Sequence, residues 1–427
     1  MTNRNEQVTI SASSLLGSLA APVSKSAMQR ACAAALIHKG ITIIRNPGRS
    51  NDDRAALEFI RQLGATVIDE SDTLHITGNG VQPKNHLLNC GESGLGVRMF
   101  TPLIALAGEA VTINGEGSLL SRPLNFFDEV LPQLGVAVKS LNGYLPLTVR
   151  GPLQPRNISI DGSLSSQFLT GLLMAFSAAN ASGVTITVNN LASKPYIDLT
   201  LQLMSHFRMK MPQHHGYKEF YFPEEIQPAF KGTIDYTVEG DWSGGAFLLV
   251  AGAIAGNITV TGLNSHSTQA DKAILDALEK ANAAIITGEQ EIQVRRSALR
   301  AFEFDATDCP DLFPPLAALA AYCDGDTAIK GVHRLTHKES NRALTLQEEM
   351  AKMNVPVLLH DDVMIIKGGN EVKGGTVHSH NDHRIAMACA VAALRANGST
   401  VIEQAMAVKK SYPDFYEHLK AAGAIIR

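Results

Sequence analysis

The feature that most constrains this chain is a repeat. Six strongly apolar segments, each opening on a polar or charged residue, recur along its 427 residues. They start near Ser24, Ser93, Ser165, Ser243, Asp311 and Asp382, at spacings of 69, 72, 78, 68 and 71 residues. Between them lie amphipathic segments, each stopped by a residue suited to the left-handed conformation: Gly64, Gly135, Asn282, Asn354 and Gly423. Phe207 holds the corresponding place in the third repeat. Strand-like runs such as GITIIRNP, GATVIDE and TLHITG surround the amphipathic helices, giving a βαβαββ unit. A period this long marks a folded subdomain rather than a solenoid repeat.

The first apolar segment, Pro22 to Gly40, is expected to form one buried helix with Ser24 as N-cap and Gly40 as a left-handed stop. Its first turns carry Lys25, Ser26 and Arg30, with Ser26 and Arg30 four apart on one face. A buried helix whose open N–H groups, dipole and cations share one end is suited to anions. If the six helices run parallel within each lobe, their N-termini gather at one face, and two such lobes would make a cleft that attracts phosphate and carboxylate.

Composition narrows the class. Hydrophobic residues make up 45% of the chain, that of a globular protein, and the net charge of −4 argues against bulk nucleic-acid binding. The expected division is residues 1–21 with 239–427 as one lobe and 22–238 as the other, with three repeats in each. Five cysteines (Cys32, Cys90, Cys309, Cys323, Cys389) show no ligand spacing and read as reduced core residues. A polar start and the lack of a run of membrane-spanning length point to the cytoplasm, with no membrane partner.

Lys25, Arg98, Arg122, Arg342, Arg384 and Lys410 are expected at or near helix starts. Each taken alone reads as a solvated flank cation, whereas the repeat sends all of them to one face. Ser165, Ser166 and Gln167 read either as an ordinary cap or as three donors for a phosphate ester. Asp311 reads either as a plain carboxylate at a helix start or as a base among cations. Glu339 reads either as a surface ion pair with Arg342 or as an acid. His383 is assigned to the core or a cap rather than to catalysis, and HSHNDH (His378, His380, His383) is not assigned to a metal. No phosphate-binding glycine loop or metalloprotease motif is present.

SKSAMQR (24–30), DGSLSSQFLTGLLM (161–174), SKPYIDLTLQLM (193–204), VEGD (238–241), KESNR (338–342), NDHRIAM (381–387) and KKSYPDFYEHL (409–419), with Pro310–Asp311, lie in one order along the chain. Together they resemble the 5-enolpyruvylshikimate-3-phosphate synthases, of the enolpyruvyl transferase family. The resemblance implies an α/β (α+β) fold, a two-lobed inverse α/β barrel of six βαβαββ units with the active site between the lobes. It implies transfer of the enolpyruvyl group of phosphoenolpyruvate to the 5-hydroxyl of shikimate 3-phosphate by addition and elimination, with no cofactor or metal, in a monomer. By motif, Lys25, Ser26, Arg30, Ser165, Ser166, Gln167, Ser193, Tyr196, Asp311 and Lys338 would bind shikimate 3-phosphate. Lys25, Gly94, Arg122, Gln167, Arg342, Arg384 and Lys410 would bind phosphoenolpyruvate. Asp311 would take the hydroxyl proton, Glu339 would serve the methylene, and Lys25 would reach both substrates.

The sequence departs from the pattern at Glu92, where an Asn is usual, at Leu95 for a Thr, at Val23 for a Gly and at Arg334 for an Asn. VEGDWSGGAF also replaces a run rich in Ser and Ala, and these changes bear on the phosphoenolpyruvate and glyphosate contacts. The sister transferases acting on UDP-N-acetylglucosamine carry a Cys before the Arg-Pro pair. Ser118 and no Cys stands in GEGSLLSRP here, which favours the shikimate ester. A non-catalytic anion-binding scaffold would need neither Asp311 nor Glu339.

Overall fold

A computed structural model describes residues 6–225, 228 and 230–427. Each apolar segment folds as a helix: Lys25–Ile37, Gly94–Ile104, Ser166–Ala178, Trp242–Ala255, Phe313–Ala320 and His383–Ala393. These helices are apolar on every side, so they are buried all round rather than along one stripe. Short polar residues start five of them: Ser24, Ser93, Ser165, Asp241 and Asp382 each accept a backbone N–H of the first turn. The fourth cap is thus Asp241 rather than Ser243. The fifth helix is entered through a 3₁₀ turn, Pro310–Leu312, which carries Asp311.

Among the described residues, six four-stranded sheets accompany the helices. Every sheet has one parallel pair followed by antiparallel neighbours, as in Leu87–Asn89, Ala110–Asn114, Tyr144–Arg150 and Ala137–Leu141 in that order. The chain divides into two compact units, Met1–Pro22 with Glu239–Arg427 (the first) and Val23–Val238 (the second). In each unit three buried helices pack together and the sheets' outer residues alternate with buried ones, an inside-out arrangement of helix and sheet.

Two strands leave their sequence neighbours. Leu15–Ala20 precedes the Lys25 helix yet pairs in parallel with Gly256–Thr261, while Ile234–Thr237 precedes the Trp242 helix yet pairs in parallel with Ile41–Arg45. Each unit is therefore closed by a strand from the far end of its own chain stretch. Val8–Ser11 likewise pairs with Thr400–Glu403 and Ile425–Ile426.

The expected left-handed stops at Gly64, Gly135, Asn282, Asn354 and Gly423 all have positive φ. In the third repeat the stop is Arg208 (φ 53), while Phe207 before it caps a helix that ends at His206. Gly40 is not a left-handed stop: the first helix ends at Ile37, and His38 leaves it in an extended conformation. Glycine is needed at 40 for close approach, because a Cβ there would lie 2.7 Å from His38 Nε2 and 2.9 Å from the Lys231 carbonyl. No described helix is long and apolar enough to cross a membrane.

Candidate active site

In the second unit the N-terminal halves of the three buried helices converge. Ser93 Oγ donates to Gln29 Oε1 at 2.9 Å, and Arg98 donates to Gln167 Oε1 at 3.0 Å. Arg30 reaches Thr200 Oγ1 at 2.9 Å, the Ser26 carbonyl at 2.9 Å, the Tyr196 carbonyl at 3.3 Å and Thr170 Oγ1 at 3.4 Å. Its guanidinium is 1% exposed, and all of these partners are neutral oxygens. Burial without a carboxylate lowers its pKa from 12.5 to about 10. Beside it, Lys25 opens the first helix and is held by Asp52 Oδ2 at 2.9 Å. Ser166 and Ser193 are buried, Ser193 with φ 58, at the start of the segment that carries Tyr196.

Gly94 is the first residue of its helix, and a Cβ there would meet the Arg122 guanidinium at 2.6–2.8 Å. The missing side chain is the space Arg122 uses. Arg122 does not start a helix: it follows the 3₁₀ turn Gly117–Ser121, and Pro123 after it prevents continuation. Glu92, the carboxylate in place of an amide, accepts from Ser118 N at 3.0 Å and Ser118 Oγ at 3.2 Å, and so ties this turn to the Gly94 loop.

The first unit holds the remaining residues around one carboxylate. Asp311 Oδ1 lies 2.7 Å from Arg342 and 3.2 Å from Lys338, and its Oδ2 lies 3.0 Å from Arg384. Burial would raise the Asp311 carboxyl, but Arg384, Lys338 and Arg342 outweigh it and hold the pKa well below the ordinary range. Arg342 is fully buried and also bonds Glu339 Oε2 at 2.6 Å and Asp382 Oδ2 at 2.8 Å. Glu339 forms the ion pair with Arg342, but the pair lies inside the cation cluster, with Arg342 buried, rather than on a helix surface. Burial lowers the pKa of Lys338, while Asp311 opposes that shift. Lys410 donates to the Asn381 carbonyl at 2.6 Å. It closes a 3₁₀ turn, Ala405–Lys410, rather than starting a helix, with Pro413 three residues on.

All the expected residues fall into these two groups: Lys25, Ser26, Arg30, Gly94, Arg122, Ser165, Ser166, Gln167, Ser193 and Tyr196 in the second unit, and Asp311, Lys338, Glu339, Arg342, Arg384 and Lys410 in the first. Sequence reasoning missed the residues that hold them. Asp52 reads as an ordinary acid in a first helical turn, and Thr170 and Thr200 as ordinary buried threonines. Asp382 was legible as a helix start, but not as the partner of Arg342. Asp271 was also missed: it is buried, accepts from Ser243 Oγ, and is pushed up to about 6 by burial and then by Asp311. His383 is buried at the first position of its helix, which Asp382 caps. Of the HSHNDH histidines, His380 gives its Nε2 to Glu349 at 2.7 Å. Glu348, Glu349 and His380 have donor atoms within 4.8 Å of one another. The Lys352 ammonium, 2.8 Å from Glu349 and 3.1 Å from Glu348, already serves these carboxylates as their cation.

Comparison with known proteins shows the family and the fold. The model of the family described as EPSP synthase (3-phosphoshikimate 1-carboxyvinyltransferase) matches residues 10–419. A 3-phosphoshikimate 1-carboxyvinyltransferase of Clostridium novyi is 36% identical over 431 residues, spanning 99% of this chain and 98% of its own. One of Thermococcus kodakarensis is 37% identical over 404 residues, spanning 95% of this chain and 96% of its own. The solved EPSP synthase of Acinetobacter baumannii shares the fold with a TM-score of 0.82 at 23% identity, over 99% of both chains.

Proposed function

The chain belongs to the EPSP synthase family, and we propose that it transfers the enolpyruvyl group of phosphoenolpyruvate to the 5-hydroxyl of shikimate 3-phosphate, releasing phosphate. The observation that carries this reading is Asp311: one carboxylate among three cations, with a second carboxylate, Glu339, on the same arginine. Such a cluster offers proton-transfer groups and anion-binding groups together, as an addition to an enol phosphate requires.

The second unit binds shikimate 3-phosphate. Arg30 and the donors of Ser165, Ser166 and Gln167 hold the phosphate, and Lys25, Ser26, Ser193 and Tyr196 hold the ring. Arg342, Arg384, Lys410, Arg122, Gln167 and the Gly94 N–H hold phosphoenolpyruvate. Asp311 accepts the 5-hydroxyl proton as the oxygen bonds to C2 of phosphoenolpyruvate. Glu339 protonates the methylene carbon to give a tetrahedral phospho-ketal. Glu339 then removes a methyl proton as the C–O bond to phosphate breaks, restoring the double bond, and the departing phosphate takes up the proton held by Asp311. The cations stabilise charge that develops on the carboxylate and the leaving phosphate. The protein works as a monomer in the cytoplasm, where its five buried free thiols stay reduced.

Phosphate release, measured with each substrate omitted in turn, tests this. Release should need shikimate 3-phosphate and vanish in Asp311→Ala. Release with UDP-N-acetylglucosamine as acceptor instead, or with neither acceptor, would overturn the reading.

A further inference from the structure

The segment His378–Asp382, which leads into the helix His383–Ala393, is where three of the site's cations are fixed. Asp382 Oδ2 accepts from Arg342 Nε at 2.8 Å, and its Oδ1 accepts the Arg384 backbone N–H at 2.9 Å. The carbonyl of the residue before it, Asn381, accepts from Lys410 Nζ. Any shift of this short segment therefore moves Arg342, Arg384 and Lys410 together. Yet the segment is not in a relaxed conformation: His380 (φ 53) and Asn381 (φ 55) are consecutive non-glycine residues in the left-handed region. Such residues persist only where their surroundings hold them.

Glu349 supplies that hold. Its side chain is fully buried, and its two oxygens take three donors. Oε2 accepts the His378 backbone N–H at 2.8 Å, while Oε1 accepts His380 Nε2 at 2.7 Å and Lys352 Nζ at 2.8 Å. The His380 N–H turns back onto His378 Nδ1 at 2.9 Å, which locks the ring and main chain of the segment together. Glu349 and Arg342 belong to one helix, Arg342–Lys352. That helix thus grips the segment twice, through Arg342 at its first residue and through Glu349 two turns later. The mechanism above uses neither Glu349 nor His380.

We propose that Glu349, acting through His380, is a positioning residue for phosphoenolpyruvate: the buried carboxylate clamps the His378–Asp382 segment so that Arg342, Arg384 and Lys410 meet the substrate in one fixed arrangement. This rests on the assignment of those three cations to phosphoenolpyruvate. Glutamine at 349 would turn an amide N–H toward groups that are themselves donors, and a buried donor left facing a donor is costly.

The test is steady-state kinetics of Glu349→Gln, His380→Ala, Lys352→Met and Arg342→Ala. In Glu349→Gln the KM for phosphoenolpyruvate should rise about tenfold, 1.4 kcal/mol of binding, while the KM for shikimate 3-phosphate stays within about twofold. His380, partly exposed, should shift in the same direction and keeps the test alive if Glu349→Gln does not fold. Lys352→Met, which removes only the outer partner, should shift least. A merely structural role would lower activity or stability without separating the two KM values, and that outcome overturns the proposal. So does an unchanged phosphoenolpyruvate KM in folded Glu349→Gln and His380→Ala while Arg342→Ala raises it. If Arg342→Ala also leaves it unchanged, the assignment of the cluster itself is wrong and the clamp falls with it.

Discussion

Replacing Arg30 by methionine separates a binding residue from a structural one. The guanidinium is buried among neutral oxygens, and burial lowers its pKa from 12.5 to about 10. At 1.36 kcal/mol per pH unit, keeping it charged at pH 7 costs the empty protein about 3 kcal/mol. Methionine removes that cost and roughly preserves the volume. It also removes the hydrogen bonds, each worth about 1 kcal/mol, but Thr170 and Thr200 still bond each other at 3.0 Å and Thr200 keeps the Tyr196 carbonyl at 2.8 Å. The two effects nearly cancel, so Arg30→Met should change the unfolding free energy without ligand by less than about 2 kcal/mol. Binding should behave differently. A charge-assisted bond to a phosphate is worth about 1.5–3 kcal/mol, so the affinity for shikimate 3-phosphate should fall at least about tenfold, and by about a hundredfold at the upper end. Urea unfolding in phosphate-free buffer and calorimetric titration measure the two quantities. The cost is full below pH 10 and disappears as pH rises toward 12.5, because the folded state releases the proton first. Loss of more than about 3 kcal/mol of stability without ligand, or unchanged affinity, would refute the reasoning.

Two further outcomes follow from the packing of the second unit. Asp53 closes the capping box with Ser50, and burial pushes its pKa from 3.8 up to about 6. The unfolded chain loses that proton first, so the contribution of Asp53 to stability is full below pH 3.8 and falls by about 3 kcal/mol as pH rises through 6. Asp53→Asn should therefore gain on the native protein between pH 4 and 7 in denaturant titrations, and a difference that does not vary with pH would contradict this. At Gly171 the Ser166 and Gly94 helices approach closely, since a Cβ there would lie 2.7 Å from the Met99 carbonyl and 2.8 Å from that of Arg98. Gly171→Ala should lower stability by about 1–3 kcal/mol although alanine is the better helix former, and a urea midpoint at or above the native value would show the helices can separate freely.

The residues named by motif were those whose chemistry is local: helix-start donors, the cations of KESNR and NDHR, and the Lys410 turn. What surrounds them was not legible. Asp52 against Lys25, Asp382 against Arg342 and Glu349 against His380 are pairs 27 to 40 positions apart, formed across different elements. Nothing in either partner's immediate sequence marks the other. The stop at Arg208 was missed for a related reason. Arginine has no preference for positive φ, so only the course of the chain after its helix sets that conformation.

By itself the sequence determined the six-fold repeat, the buried helices, their polar starts and five of the six left-handed stops after the amphipathic helices, though not the end of the first buried helix, where Gly40 is no left-handed stop. These follow from short-range physics: apolar periodicity, the open N–H groups of a first turn, and the tolerance of Gly and Asn for positive φ. Tertiary structure decided which strand each closing strand pairs with inside its unit. Leu15–Ala20 and Ile234–Thr237 each lead into a buried helix, and each pairs instead with a strand from the other side of a long chain excursion. Strand alternation specifies a buried face but not the identity of the neighbour that covers it. That choice, and with it the gathering of Lys338, Glu339, Asp382 and Arg384 around Asp311 and Arg342, belongs to the packed fold.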